Sequence, residues 1–177
     1  MLLLHTCCAP CSAAVIEWLR MQGVYPTLFF FNPNIYPPSE YEIRKNELIR
    51  YAHALKMDCI EGDKDHSIWQ NAIKGLEDQP ERGSRCLECF KIRLFATARL
   101  ASEKGFSQFA TTLASSRWKN LRQIAEAGNW AAAQFPGLQF LEKNWRKDGL
   151  SERRRMLLQE NGFYNQTYCG CEYSGTF

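Results

Sequence analysis

Met1-Leu-Leu-Leu-His-Thr-Cys-Cys-Ala-Pro-Cys11 opens the chain as a short apolar run leading straight into three cysteines. Leu2 to Leu4 has the length and character of a buried strand, and Ala9-Pro10 breaks it. Ser12 to Arg20 is helix-forming and Gly23 can end a helix, so one is predicted to start near Cys11. Cys7 and Cys8 serve one site only if the strand ends there, because neighbours on a strand point to opposite faces. The thiols then sit in a strand-to-helix loop, the place where open α/β sheets bind ligands. Cys11 at a helix N-terminus favours thiolate over thiol.

Working outward, strands and helices alternate. Thr27–Phe31, Asp58–Glu61, Gln108–Leu113 and Leu138–Leu141 read as further strands. A capping box, Ser39-x-x-Glu42, opens a helix to about Lys56. Helices are also expected at Asp65–Leu76, Phe90–Lys104, from the end of a polar loop over Ser115–Asn120 to about Gln134, and from a Ser151 cap to Gly162. The three prolines of Asn32–Pro38 make a loop, and Glu77–Arg85 is a polar loop. This order predicts a three-layer α/β fold with a mostly parallel sheet of about five strands, in one domain over 1–177. The chain has 177 residues and is 45% hydrophobic, enough to bury a core. Its net charge of +3 names no partner. There is no signal-peptide pattern and no membrane-length apolar run, so a cytoplasmic protein is expected, in which clustered cysteines indicate metal or redox chemistry.

Seven of the eight cysteines fall in three sets: Cys7, Cys8 and Cys11; Cys86 and Cys89; Cys169 and Cys171. Cys59 stands apart in a strand and reads as core. Each set lies at an element boundary, which points to a shared site. Adjacent Cys-Cys and Cys-x-Cys do not match structural zinc spacing, whereas an iron–sulfur cluster takes about four thiolates from distant segments. From the residues alone, iron–sulfur leads and zinc stays open. About three thiols are left for a second metal or a redox pair. His5 reads as a core histidine or a proton carrier. Arg85 and Arg93 flank the Cys86-x-x-Cys89 set and suit either ion pairs or an anionic ligand. Asn32, Asn34, Thr111 and Thr112 sit at predicted strand ends, as substrate contacts or turn residues.

These pieces together resemble the QueH family of cobalamin-independent epoxyqueuosine reductases. The matching segments are Leu3-Leu-His-Thr-Cys-Cys-Ala-Pro-Cys11, Phe31-Asn-Pro-Asn-Ile35 with Glu40-Tyr41-x-x-Arg44, Arg85-Cys86-x-x-Cys89 with Arg93-Leu94, Thr111-Thr112-Leu113, and Tyr168-Cys-Gly-Cys-x-Tyr-Ser174. The resemblance implies a Rossmann-like fold related to adenine nucleotide α-hydrolases. Cysteines stand where many of those relatives have a Gly-rich phosphate loop, so nucleotide hydrolysis is disfavoured. It implies reductive removal of the epoxide oxygen from epoxyqueuosine at the wobble position of tRNA. It also implies a [4Fe–4S] cluster on Cys7, Cys8, Cys86 and Cys89. Cys169 and Cys171 match a position read as a redox disulfide or as ligands of an extra iron, and the tail would close the metal site. Cys11 stands where some members have Asp, which leaves the identity of a second metal open.

Epoxide-to-alkene reduction consumes two electrons and two protons and releases water. His5, Glu40 and Tyr168 are the candidate proton donors, and the electron donor is not written in the sequence. For RNA, the stretch from Arg117 to Arg155 holds nine Lys or Arg against four Asp or Glu. At least two of Arg153, Arg154 and Arg155 are expected to face solvent, since successive helix positions turn by about 100°. Trp118, Trp130 and Trp145 in the same stretch are candidates to stack bases. Arg44 joins the substrate candidates, and a monomer is expected. A zinc-stabilised RNA-binding module and a dithiol oxidoreductase are the competing classes.

Overall fold

A computed structural model describes residues 1–174. Five strands form one sheet: β1 (Leu2–His5), β2 (Thr27–Phe30), β3 (Cys59–Glu61), β4 (Gln108–Thr111) and β5 (Gln139–Phe140), in the order β3-β2-β1-β4-β5. Every pairing is parallel. β1 lies in the middle, with Leu3 opposite Thr27 on one side and Phe109 on the other. All four of its residues are buried, as a parallel strand covered on both faces requires.

Helices cover both faces. α1 (Ala9–Met21), α2 (Pro38–Ala54) and α6 (Leu150–Glu160) pack together, with α1 against both others. α4 (Ser84–Glu103) and α5 (Leu121–Ala133) form a second pair, with the short α3 (His66–Ala72) beside α4. This is the expected three-layer, Rossmann-like arrangement. The strand order reverses around β1, so the crevice between the β1 and β4 carboxyl ends is the topological switch point.

Several boundaries differ from the sequence expectation, for local reasons. α1 starts at Ala9, because Pro10 suits a helical first turn. Cys8 is therefore the N-cap and Cys11 lies in the first turn. The largest shift is in α4, which begins at Ser84 and takes in both Cys86 and Cys89. Its entrance is tied down from outside: Gln123 Nε2 donates to the carbonyls of Arg82 and Gly83 at 2.9 and 3.0 Å. Without that distant residue the polar composition reads as loop. The Ser39 capping box does not form, since Pro37 is the N-cap of α2 and no side chain caps it. Ser151 likewise lies inside α6, behind a left-handed Gly149, and its hydroxyl donates to the Arg146 carbonyl. β4 stops at Thr111 because Thr111 Oγ1 accepts from the Leu113 amide and starts a 3₁₀ turn over Thr112–Ser115.

Candidate metal and substrate site

The chain leaves β1 at His5 and turns into α1 through the three cysteines. Thr112, on the 3₁₀ turn after β4, fixes that turn: its Oγ1 accepts from the Cys7 amide at 3.2 Å and lies 3.6 Å from Cys7 Sγ. Cys7 and Cys8 Sγ are 3.8 Å apart, and the sulfurs of Cys7, Cys8 and Cys11 all lie within 4.8 Å of one another. Hydrogen bonding with Cys7 and Cys8 acts on Cys11, and the nearby charges of Arg154 and Lys119 add to it. These hold Cys11 well below the usual thiol range. Burial, then Cys11 and Cys7, drive Cys8 the other way.

Cys86 and Cys89 lie near the start of α4 and share their surroundings with Cys169 and Cys171. Cys86, Cys169 and Cys171 line one cleft with Arg82, Arg85, Trp118 and Lys119. Cys89 and Cys171 pack together with Trp69 and Ile73. Burial raises the pKa of both Cys86 and Cys89 and takes Cys171 to about 11. Among the described residues the tight sulfur group is therefore Cys7, Cys8 and Cys11, while Cys86 and Cys89 neighbour the tail. Buried cations join the two groups. Arg93 Nη1 lies 3.9 Å from Cys89 Sγ, and its charge reaches His5 beside Cys7. Arg44 feels Cys8 and Cys7 while donating to the Cys169 carbonyl at 3.2 Å. Lys119 feels Cys169, Cys7 and Cys11.

The charge balance is one-sided. The buried charged residues are Arg44, Arg85, Arg93 and Lys119 against a single acid, Glu40. An uncompensated buried charge costs several kcal/mol in rough terms, so this surplus of buried cations favours an anionic group beside the cysteines. Two further donors point the same way: Arg85 Nε and Arg93 Nε are buried without a partner among the described residues, and Trp69 turns toward the Cys89 sulfur. Donors of this kind suit an anionic, sulfur-rich group held by the cysteines.

The remaining candidate residues are engaged in structure to differing degrees. His5 is fully buried; its Nδ1 accepts from Thr111 Oγ1 at 2.8 Å and its Nε2–H donates to the Phe31 carbonyl at 3.1 Å. Burial, then the Arg93 charge, pushes its pKa down to about 3. It is a neutral core histidine with its one proton committed, so the proton-donor role does not fit it. Glu40 pairs with Arg44 Nε at 2.7 Å and accepts from Tyr164 Oη at 3.0 Å, so it is an acceptor here rather than an acid. Asn32 donates to the Thr6 carbonyl at 2.9 Å and accepts from Arg93. Asn34 is buried, and its Oδ1 has no partner among the described residues. Arg85 donates to the Glu77 carbonyl and stacks over Tyr173 at 4.8 Å.

The tail lies over the cleft and is held by side chains. Arg44 also lies over the Tyr168 ring at 5.1 Å and donates to the Tyr168 carbonyl at 3.4 Å. Tyr168 Oη donates to the Tyr36 carbonyl at 2.5 Å, and burial takes its pKa to about 12. The Gly170 carbonyl accepts from the Tyr36 amide at 2.8 Å. Gly170 has φ 116°, and a Cβ there would meet Arg44 Nη1 at 2.7 Å.

The basic helix presents its three arginines unequally. Arg153 is half-buried and paired with Glu17 and Glu160, at 3.0 and 2.9 Å. Arg154 is half-buried with its charge toward Cys11, which leaves Arg155 alone exposed. α1 supplies both Glu17 and the cysteine. Trp145 is core, with Nε1 donating to the Thr111 carbonyl at 2.9 Å, and Trp130 lies away from the cleft; Trp118 is the one of the three at its mouth. Cys59 is half-buried in the edge strand β3. Sequence reasoning missed Lys119, Trp69 and Arg82. The signal for Lys119 was its loop, which follows β4 at the carboxyl edge of the sheet.

A family model described as epoxyqueuosine reductase QueH matches residues 2–176. The chain belongs to the QueH family. It is 45% identical over 173 residues to the epoxyqueuosine reductase QueH of Acinetobacter baylyi, covering 98% of this chain and 79% of that protein. Its identity to the QueH of Haemophilus influenzae is 44%, over 98% and 71% of the two chains. With the QueH of Thermotoga maritima it is 35%, over 97% and 88%. QueH proteins are reductases, so the chain is an enzyme of oxidoreductase type. No helix among the described residues is long and apolar enough to cross a membrane.

Proposed function

We propose that this protein reduces epoxyqueuosine at the wobble position of tRNA to queuosine. The observation that carries the reading is the group of Cys7, Cys8 and Cys11 at the switch point of the sheet, with buried cations between it and the cleft lined by Cys86, Cys169 and Cys171, in a chain whose relatives bear that name. The reaction takes two electrons and two protons, breaks both C–O bonds of the epoxide, forms a C=C bond and releases water. An external one-electron donor must supply the electrons.

Cys7, Cys8, Cys86 and Cys89 would hold a [4Fe–4S] cluster, with Arg93 beside Cys89 and Arg44 near Cys7 and Cys8 balancing its charge. Such a cluster supplies electrons one at a time. Cys11, Cys169 and Cys171 remain for a second iron or a redox pair, which answers the need for a second electron. The unpartnered Nε donors of Arg85 and Arg93 support an anionic group at this place. Arg44 and Tyr168 hold the tail over the cleft and keep water from it.

The tRNA reaches the cleft at its mouth, where Arg82 and Arg117 are exposed and Trp118 offers a ring for base stacking. The protein acts as a single domain and a monomer in the cytoplasm. Anaerobic reconstitution with iron and sulfide, a chemical one-electron reductant and tRNA bearing epoxyqueuosine tests the reading. Nucleoside mass spectrometry is expected to show loss of one oxygen from the modified base. A colourless protein with stoichiometric zinc and no turnover would instead establish the RNA-binding module.

A further inference from the structure

Each buried arginine of the site has hydrogen-bond partners: Arg44 on Glu40 and the tail, Arg85 on the Glu77 carbonyl, Arg93 on Asn32. Lys119 is different. It is buried to 6% exposure, yet its ammonium has no hydrogen bond or ion pair with any described residue. It lines the cleft beside Cys86, Cys169, Cys171 and Trp118. Its backbone is fixed from behind: the Lys119 carbonyl accepts from Arg146 Nη2 at 2.6 Å, and its amide donates to the Ser116 carbonyl. Next to it, Asn120 caps α5 through the Arg122 amide. A rigid loop thus presents one cationic donor, with hydrogen-bonding capacity unused, to the space between the two cysteine groups.

A cationic donor aimed into a cleft suits an oxygen that gains negative charge during reaction. We propose that Lys119 is a catalytic residue that donates a hydrogen bond from its ammonium to the epoxide oxygen of the bound nucleoside. This rests on the functional reading above. As two electrons enter and the C–O bonds break, the oxygen carries the negative charge. Lys119 stabilises it until two protons, drawn from solvent, complete the departing water. Arginine at the same position keeps the charge but changes its reach.

The test compares wild type, Lys119→Met, Lys119→Gln and Lys119→Arg, each loaded anaerobically. Iron content, visible spectrum, affinity for epoxyqueuosine-bearing tRNA and single-turnover rate with excess reductant are read separately. Lys119→Met and Lys119→Gln are expected to keep iron and tRNA affinity while the single-turnover rate falls about 100-fold. Lys119→Arg is expected to recover part of the rate. A rate in Lys119→Gln within about threefold of wild type overturns the proposal. So does loss of iron in Lys119→Gln and Lys119→Met that Lys119→Arg restores, since Lys119 would then be a counter-ion for the metal centre. The functional reading fails in a different place: wild type would leave epoxyqueuosine unchanged.

Discussion

Two cysteine-bearing segments meet at the cleft, and they are held in opposite ways. Cys7 to Cys11 is the continuous joint between the central strand and its helix, set by main-chain pairing on both sides. The Cys169–Cys171 tail has no regular secondary structure; Arg44, Tyr36 and the ring of Tyr173 over Arg85 hold it. The first set is placed by the fold itself, whereas the second is placed by a few side chains and one main-chain hydrogen bond. Segments of the second kind open at low cost. The tail is therefore the part suited to admitting a substrate or changing redox state, and the strand-to-helix joint is the part suited to holding a metal centre still.

That contrast breaks most visibly in the double variant Cys169→Ser and Cys171→Ser. It is expected to fold, to keep most of its iron and to lose epoxide reduction altogether. Metal analysis and single-turnover assay check this separately. Surviving turnover would remove the tail from the chemistry, while total loss of iron would make it as structural as Cys7 to Cys11.

Gly170→Ala sharpens the comparison without touching a sulfur. The left-handed backbone and the 2.7 Å approach to Arg44 leave no room for a methyl group, at a strain cost of about 1–3 kcal/mol. The strain should appear in the tail alone, as faster proteolysis or amide exchange near residue 170, with global melting nearly unchanged. Equal destabilisation of the whole domain would show that the tail is part of the core.

Charge at the mouth is next in size. Arg117→Ala should lower the slope of log affinity against log salt for tRNA by about one. Arg153→Ala should leave that slope alone, because its guanidinium is already paired with Glu17 and Glu160. Its cost is the pair itself, about 0–1 kcal/mol at this exposure. The opposite pattern would move the RNA face to α6.

The smallest effect is expected at Cys59. Cys59→Ala should keep full iron content. In the wild type, burial and then Glu61 take this thiol to about 11, so only a small thiolate fraction exists at neutral pH. Its alkylation rate should rise about tenfold per pH unit up to that value. Fast labelling at pH 7 would show that β3 leaves it open.

Much of this architecture is written locally. The apolar run at Leu2–Leu4, the alternation of strands and helices and the cysteine spacing are short-range patterns, and they were enough to expect a parallel sheet with thiols at its carboxyl edge. The start of α4 was not legible, because Gln123, some forty residues away, secures it. The roles of Arg44 and Arg153 were not legible either. An arginine reads the same whether it faces RNA or is closed on a tail carbonyl or a glutamate of another helix.

What the sequence determined by itself, then, is the inventory: five strands, the helices between them, and seven thiols at their boundaries, each set by composition within a dozen residues. Tertiary structure alone decided the pairings. Only packing could bury Lys119 with its ammonium unpartnered in the cleft, commit the single proton of His5 to Phe31, and lay the tail across Arg44. Desolvation and charge depend on which residues become neighbours in space, and that is a property of the folded chain.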